Sequence, residues 1–185
     1  MGVAVPVGDT GVVLVGHGAV ARDCPRELVT RLKALEAQRR LTGAPPTAEE
    51  HALDTRIRQW PRTPRNDPYR HGLETLAERL RPRLGGARLV LAFNEFCAPS
   101  VEAAVEHLVA AGVTDISVVP SMLTPGGVHS EVDIPQALDL LRTRFPQIAL
   151  RYAWPVDPGL IADMLSRHLG AYIKTGRETS PRTGA

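Results

Sequence analysis

Short apolar runs alternate with segments of helical periodicity along most of the chain. The runs are rich in β-branched residues and polar positions do not interrupt them, which is typical of strands buried on both faces. The predicted strands span residues 11–16, 89–93, 116–119 and 148–153. The predicted helices span residues 26–41, 47–60, 73–84, 101–111, 135–144 and 158–173. This alternation predicts an α/β fold: a doubly wound, four-stranded, mainly parallel sheet of order 2-1-3-4 with helices on both faces.

One stretch departs from the strand–helix alternation. Residues from about 38 to 72 form a helical excursion, in which Thr47 to Glu50 resembles a capping box and three prolines follow at 61–68. The excursion is too short and too broken by proline to form a core of its own. We therefore expect a single α/β domain over residues 1–173 that carries the excursion, and a polar, disordered tail over residues 174–185.

Composition and charge exclude several classes of protein. Apolar residues make up 43% of the chain, as in a globular protein, and 22 Lys and Arg against 20 Asp and Glu leave a formal charge of +2. This balance argues against a nucleic-acid partner. No apolar run reaches the length of a membrane span, and the N-terminus lacks the basic start of a signal peptide, so we expect a cytoplasmic protein. Two cysteines give no disulfide framework.

Two histidines follow the first and third predicted strands. His17 lies between two glycines, and His129 follows a Pro-Gly-Gly loop. In a sheet of order 2-1-3-4 these loops flank the switch point, where a crevice opens, so both side chains are expected at one cleft. Neutral imidazoles suit Co, Ni, Fe or Zn, and two of them leave coordination positions open for chemistry.

Glu95 ends the second predicted strand at the same sheet edge. Its carboxylate either completes a metal site or accepts a proton; alternatively it caps the next helix or meets solvent. Cys24 and Cys97 could approach one another across the first two strands, but ordinary free thiols are the preferred interpretation. An arginine-rich run in the excursion is interpreted as a solvated face, with a lip over an acidic ligand as the alternative. Its members are Arg56, Arg58, Arg62, Arg65 and Arg70.

Three motifs resemble the sirohydrochlorin cobaltochelatase/ferrochelatase family, the small class II tetrapyrrole chelatases that use no ATP. They are Val-Gly-His-Gly at 15–18, Ala-Phe-Asn-Glu-Phe at 92–96 with Pro-Ser at 99–100, and Gly-Gly-Val-His at 126–129 with Glu-Val-Asp-Ile-Pro at 131–135. The last motif, His-x-x-x-Asp-Ile-Pro behind a glycine loop, is the most specific. Ala19 stands where many members have Ser, a departure that leaves the metal ligand untouched.

The resemblance implies a class II chelatase-like fold and a specific activity. It implies that His17 and His129 bind a divalent metal, Co²⁺ or Fe²⁺ with Ni²⁺ as a third candidate, and that the metal is inserted into sirohydrochlorin in cobalamin or siroheme biosynthesis. Glu95 is the acidic partner, so His17, Glu95 and His129 are the expected catalytic residues. Arg22 is expected to face the carboxylate-rich substrate. The motifs occur once, whereas long members carry two copies, which favours a homodimer.

Other functions remain as alternatives. The histidines would equally serve a tetrapyrrole- or metal-binding carrier without turnover, although a carrier needs no base such as Glu95. A regulatory module that uses residues 38–72 as a contact surface is a weaker alternative. The chain lacks the Walker A, GxGxxG and GxSxG patterns, so we expect no organic cofactor and a reaction independent of ATP.

Overall fold

The computed structural model describes residues 10–175 and contains one sheet of four strands. The strands are β1 (Thr10–Gly16), β2 (Arg88–Phe93), β3 (Asp115–Pro120) and β4 (Ala149–Tyr152). They pair in the order β2-β1-β3-β4, and every pair is parallel. The predicted fold class and strand order are therefore confirmed, and the sheet is fully rather than mainly parallel.

Within residues 10–175, six α-helices accompany the sheet. They are α1 (Arg26–Thr42), α2 (Ala48–Arg58), α3 (Pro68–Leu80), α4 (Val101–Ala110), α5 (Ile134–Arg144) and α6 (Pro158–Thr175). A short 3₁₀ turn over Arg81–Arg83 follows α3, and a π-helical turn over His129–Asp133 precedes α5. None of the described helices is both long and apolar enough to cross a membrane.

Both faces of the sheet are buried, as the uninterrupted apolar runs predicted. On β1, Val13 and Val15 face the side where α4 and α5 pack, while Leu14 faces α3. Successive side chains of a strand point to opposite faces, so a strand covered on both sides must be apolar throughout. The two layers of helices hold the sheet rigidly and leave the carboxyl ends of its strands open.

The excursion predicted at 38–72 has different helix bounds in the structure. It begins inside α1 and ends inside α3, because Asp67 caps α3 and Pro68 occupies its first turn. The helix predicted at 73–84 therefore starts five residues earlier. Thr47 caps α2, with its side chain accepting a hydrogen bond from the backbone N–H of Glu50, as the capping pattern predicted.

The excursion packs on the site side of the domain. Ile57 of α2 is fully buried against Leu32 of α1 and against Ala21 and Cys24, which follow the His17 loop. Most of the predicted tail, like residues 1–9, lies outside the described residues; α6 includes the first two of the tail positions.

Candidate metal centre

The register of the sheet brings the predicted site residues to one edge. Gly16 of β1 lies opposite Phe93 of β2, so His17 and Asn94 leave the sheet side by side. The parallel pairing continues past the strands: the backbone N–H of Asn94 donates to the carbonyl of Gly16 at 3.0 Å, and that of Glu95 donates to the carbonyl of His17 at 2.8 Å. The backbone itself therefore sets Glu95 beside His17.

Gly18 makes this close approach possible. Its φ is +92°, a conformation that favours glycine, and a Cβ on it would lie 1.9 Å from the carbonyl oxygen of Glu95. With any side chain at position 18, the loop after β1 and the turn after β2 could not come into contact. The glycine after His17 is thus required for the spacing between His17 and Glu95.

His17 and His129 meet across the switch point. Their Nε2 atoms lie 3.0 Å apart, and the rings are perpendicular. Nδ1 of His17 lies 2.8 Å from the carbonyl oxygen of Gly18, and Nδ1 of His129 lies 2.6 Å from Oδ2 of Asp133. The carbonyl of Gly18 is an acceptor, so in a neutral His17 ring the proton belongs on Nδ1 and the lone pair on Nε2. The Asp133 carboxylate favours the same tautomer in His129, in which the two Nε2 lone pairs could bind one cation.

Asp133 and the π-helical turn hold the His129 ring in place. The four-residue spacing brings the carboxylate of Asp133 under the ring, and the Nδ2 atom of Asn94 lies 3.2 Å from that carboxylate and 2.6 Å from Nδ1 of His129. The Tyr152 hydroxyl donates to the carbonyl of Ser130 at 2.9 Å and secures the same turn. Together these contacts hold the ring and direct its Nε2 atom toward His17, and a carboxylate partner on one ring nitrogen would strengthen the other as a ligand.

Glu95 joins the two histidines in a cluster of three side chains that could hold a metal ion. One oxygen of Glu95 and the nitrogens of His17 and His129 all lie within 4.8 Å of one another, and each side chain is half-buried. The alternative in which Glu95 caps the next helix is wrong, because Ser100 caps α4 by accepting from the N–H of Ala103. The Glu95 carboxylate is instead paired with Lys33 of α1 at 3.3 Å.

The spacing of the two nitrogens indicates how a metal would be held. At a metal–nitrogen distance of about 2.1 Å, two nitrogens 3.0 Å apart subtend an angle of about 90° at the metal. That angle belongs to adjacent positions of an octahedron and leaves several positions for other ligands. Imidazole and carboxylate ligands are suited to divalent transition metals, and a site built from them differs from a closed site of thiolates.

Two arginines of the excursion donate hydrogen bonds to the backbone of the segments that carry His17 and Glu95. Arg62 donates to the carbonyls of Ala19 and Phe96 and pairs with Asp67 at 2.5 Å. Its side chain is 5% exposed and that of Asp67 is 1% exposed. Arg58 donates to the carbonyls of Asn94, at 3.0 Å, and of Cys97, at 3.2 Å. These contacts tie the loop after His17 to the turn that carries Glu95.

The solvated-face interpretation of the arginine run is therefore wrong for Arg58 and Arg62. It is confirmed for Arg56 and Arg65, which are exposed. Arg58 and Arg62 point inward because the segments that follow β1 and β2 contain backbone carbonyls without a hydrogen-bond donor in the sheet. One guanidinium group can donate hydrogen bonds to several of these carbonyls at once.

A polar cavity of about 370 Å³ opens beside Glu95. It reaches from the side chain of Glu95 to the N-terminal end of α4 and carries more acidic than basic groups. The acidic residues of its lining are Glu36, Asp54, Glu95, Glu102 and Asp133, and the basic ones are Lys33, Arg39 and Arg58. Of the three clustered side chains, Glu95 lines this cavity, which places it among other carboxylates.

The remaining candidates lie away from the cluster. Cys24 and Cys97 are free and buried in separate apolar clusters, where burial raises the pKa of both thiols, so the free-thiol interpretation is confirmed. Arg22 is exposed beside the His17 loop, and its role toward a substrate stays a prediction. The other four histidines are exposed: His51, His71, His107 and His168.

Sequence reasoning missed Asn94, Asp133, Arg58, Arg62 and Tyr69 as parts of this site. The Tyr69 hydroxyl accepts a hydrogen bond from the backbone N–H of His17 at 2.7 Å. The four-residue spacing from His129 to Asp133 was the available signal, because residues i and i+4 share a helix face. The contacts of the other four residues join segments far apart in sequence and leave no periodic trace.

Comparison with known proteins finds relatives in sequence and in fold. A 64-residue stretch is 38% identical to the sirohydrochlorin cobaltochelatase of Priestia megaterium, covering 35% of this chain and 21% of that protein. Two solved structures share the fold. The sirohydrochlorin chelatase SirB of Bacillus subtilis subspecies spizizenii, solved in complex with cobalt, has 18% identity and a TM-score of 0.50, over 88% of this chain and 51% of that chain. A CbiX protein of Marinobacter aquaeolei VT8 has 17% identity and a TM-score of 0.52, over 91% of this chain and 98% of that chain.

The family itself is identified by its sequence model. This chain spans about one fifth of the curated relative and about half of the SirB chain. A model of the CbiX family matches residues 64–170, more than half of the chain, and this range includes Asn94, Glu95, His129 and Asp133. The chain therefore belongs to the CbiX family, as its motifs indicated.

Proposed function

We propose that this protein is a chelatase that inserts Co²⁺ or Fe²⁺, with Ni²⁺ as a third candidate, into sirohydrochlorin without ATP. The observation that carries the proposal is the convergence of the Nε2 atoms of His17 and His129 beside the Glu95 carboxylate. Family membership and the names of the similar chelatases support it. The metal is a substrate here, and the chemistry needs no organic cofactor.

The two imidazoles hold the metal without enclosing it. Insertion requires that the metal exchange protein nitrogens for the four pyrrole nitrogens of the macrocycle. Two neutral nitrogen ligands suit this transfer, since they leave open positions where the macrocycle can begin to bind. The side chain of His129 is 18% exposed, so its nitrogen is accessible from the open edge of the sheet.

Glu95 supplies the proton acceptor. Replacing two pyrrole N–H bonds by metal–nitrogen bonds releases two protons for each divalent ion, and the balanced products are the metallated macrocycle and two H⁺. The Glu95 carboxylate stands beside the metal ligands and opens into the polar cavity, so it can take a proton and pass it to water there. This role distinguishes a chelatase from a carrier, which needs no proton acceptor.

Anaerobic incubation with sirohydrochlorin and each metal in turn, followed by absorption, tests this function. We expect His17→Ala and His129→Ala to abolish insertion without loss of the fold, since each removes one of two metal ligands. Glu95→Gln should slow insertion by about 10²- to 10⁴-fold while the protein still binds metal. Equal loss of metal binding and insertion in Glu95→Gln would instead favour a ligand role. Full insertion in both histidine variants would refute the proposal.

We also propose that two copies of the chain form a homodimer that frames the macrocycle as two lobes would. The support for this proposal is that α6 exposes six large nonpolar side chains. These are Leu160, Met164, Leu165, Leu169, Tyr172 and Ile173. Buried in an interface, this face would be removed from water.

Light scattering after gel filtration tests the dimer. Leu165→Glu should give a monomer, whereas Arg167→Glu, a charge change elsewhere on the same helix, should leave the dimer intact. A wild-type monomer at micromolar concentration would contradict the proposal. The two free thiols suit a reducing compartment, so the cytoplasm is the proposed location.

A further inference from the structure

Two arginines line a small cavity beside the loop that follows His17. The cavity has a volume of about 370 Å³, and its lining residues are Arg22, Asp23, Thr63, Arg65 and Asn66. Within residues 10–175, no hydrogen bond or ion pair engages the guanidinium group of Arg22 or that of Arg65. Both side chains are exposed, and a guanidinium group keeps its positive charge at any physiological pH. The cavity therefore presents two available cations.

The other side chains of this cavity are bonded to one another. Nδ2 of Asn66 donates to the two carboxylate oxygens of Asp23 at 3.0 and 3.1 Å, and Oδ1 of Asn66 accepts from the hydroxyl of Thr63 at 3.2 Å. Nε1 of Trp60 also donates to Asp23, at 3.0 Å. The hydrogen bond from Asn66 lowers the pKa of Asp23, so its carboxylate is ionised and already has its donors. Among the side chains of the lining, the two guanidinium groups are left to bind a ligand.

The walls of the cavity are continuous with the metal cluster. The backbone N–H of His17 donates to the hydroxyl of Tyr69 at 2.7 Å, and the backbone N–H of Arg22 donates to the carbonyl of Asn66 at 2.9 Å. The loop after β1 and the segment before α3 are thus joined at two places, and together they lead from His17 to the arginines. Five residues of extended chain span at most about 17 Å, so Arg22 lies within that distance of His17.

A macrocycle that receives the metal must cover the metal ligands. Its pyrrole nitrogens have to reach a metal held by His17 and His129, so its carboxylate arms extend outward from that point over the adjoining loops. An arm that extends over the loop after β1 comes within reach of the cavity. Its carboxylate would there meet two guanidinium groups, each of which can donate two parallel hydrogen bonds.

We propose that Arg22 and Arg65 form a binding site for a carboxylate arm of the macrocycle. This inference rests on the proposed function and deepens it, because it assigns residues that favour a tetrapyrrole rich in carboxylates. The two arginines bind the substrate and take no part in metal binding. Loss of either arginine should therefore weaken the binding of the macrocycle even when no metal is present.

Titration of the full chain with metal-free sirohydrochlorin, followed by absorption under anaerobic conditions, tests the inference. We expect Arg22→Gln and Arg65→Gln each to weaken sirohydrochlorin binding by about 3- to 10-fold, the range for a charged hydrogen bond that is partly screened by solvent. Arg22→Lys should recover part of the loss, because it keeps the charge and loses the planar fork. Arg40→Gln removes an exposed arginine in the last turn of α1, so it is the matched control and should change nothing.

Two further measurements distinguish substrate binding from general damage to the protein. Co²⁺ binding by Arg22→Gln and by Arg65→Gln should match that of the wild type, and in the insertion assay KM should rise while kcat stays unchanged. Higher ionic strength should weaken sirohydrochlorin binding more in the wild type than in either variant, because the salt screens the charges that the variants lack.

Unchanged sirohydrochlorin binding in both variants would overturn the inference, and so would an equal loss in Arg40→Gln. Failure of the wild-type protein to bind sirohydrochlorin would overturn it as well. A wild-type protein that binds sirohydrochlorin through these arginines and inserts no metal would refute the proposed function and leave this inference standing.

Discussion

The buried pair of Arg62 and Asp67 is expected to hold the metal site in register. The side chain of Asp67 is 1% exposed, and substituting Arg62 by Met would leave its carboxylate buried without a positively charged partner. It would also remove donors from the carbonyls of Ala19, Ile57 and Phe96. Breaking a buried ion pair on one side costs about 3–5 kcal/mol, and each lost hydrogen bond about 1 kcal/mol, although these terms overlap.

The expected loss is somewhat reduced by one unfavourable feature of the wild-type site. The Nε atom of Arg62 is buried without a hydrogen-bond partner among the described residues, and this costs about 1 kcal/mol or more that Met would not incur. We therefore expect Arg62→Met to lower the free energy of unfolding by about 3–4 kcal/mol. Arg62→Lys keeps the charge but loses the planar fork, so it should recover only part of the loss.

Urea unfolding followed by circular dichroism measures this change, and Co²⁺ titration measures its effect on the site. Arg65→Met is the matched control, because Arg65 is an exposed arginine of the same segment, and it should change stability by less than about 0.5 kcal/mol. Arg62→Met should also weaken Co²⁺ binding in the folded protein, since Arg62 joins the loops of His17 and Glu95. A loss below about 1 kcal/mol with unchanged Co²⁺ affinity would refute the positioning role.

Three further predictions follow from the geometry of the site and its surroundings. Asp133→Asn should weaken Co²⁺ binding by about 10-fold, which is the lower end of the loss expected when a hydrogen-bond partner of a ligand is removed, because Asp133 is partly exposed. The melting temperature should stay near that of the wild type. An unchanged Co²⁺ affinity would contradict this prediction. Burial raises the pKa of Tyr152 to about 12 from 10.0, so the contribution of Tyr152 to stability is complete below pH 10 and is lost as the pH rises toward 12. In urea unfolding, the difference in stability between the wild type and Tyr152→Phe should therefore shrink between pH 10 and pH 12. A difference that stays constant over this range would refute burial as the cause. Burial also raises the pKa of the thiols of Cys24 and Cys97, so both should react with Ellman's reagent at pH 8 only after unfolding, and rapid labelling of the native protein would contradict their placement.

The fold was predictable because its strands are buried on both faces. Burial on both faces favours uninterrupted apolar runs, residues 11–16 of β1 and 89–93 of β2, and such a run is a signal that needs no alignment. The strand order and the switch point then brought His17 and His129 together, although they are separated by 112 residues. The position of Glu95 followed from the same topology.

The supporting contacts were not predictable in this way. Arg62 appeared as one charge among several in a proline-rich stretch, and its burial depends on unsatisfied carbonyls at Ala19 and Phe96 that only the folded chain brings together. Helix bounds failed for a local reason as well, since Asp67 and Pro68 start α3 within a segment expected to be irregular. The periodicity of apolar residues in a sequence indicates which apolar surface is buried, and it carries little information about buried polar networks.

The most direct test of the account compares metal insertion by the wild-type protein and by two variants, each of which removes one predicted role. Wild-type protein, His129→Ala and Glu95→Gln are incubated anaerobically with sirohydrochlorin and Co²⁺, while Co²⁺ binding is titrated in parallel. The account predicts that His129→Ala loses both binding and insertion, whereas Glu95→Gln binds Co²⁺ and inserts it at least about 100-fold more slowly. Insertion at the wild-type rate by either variant would contradict the assignment of the site.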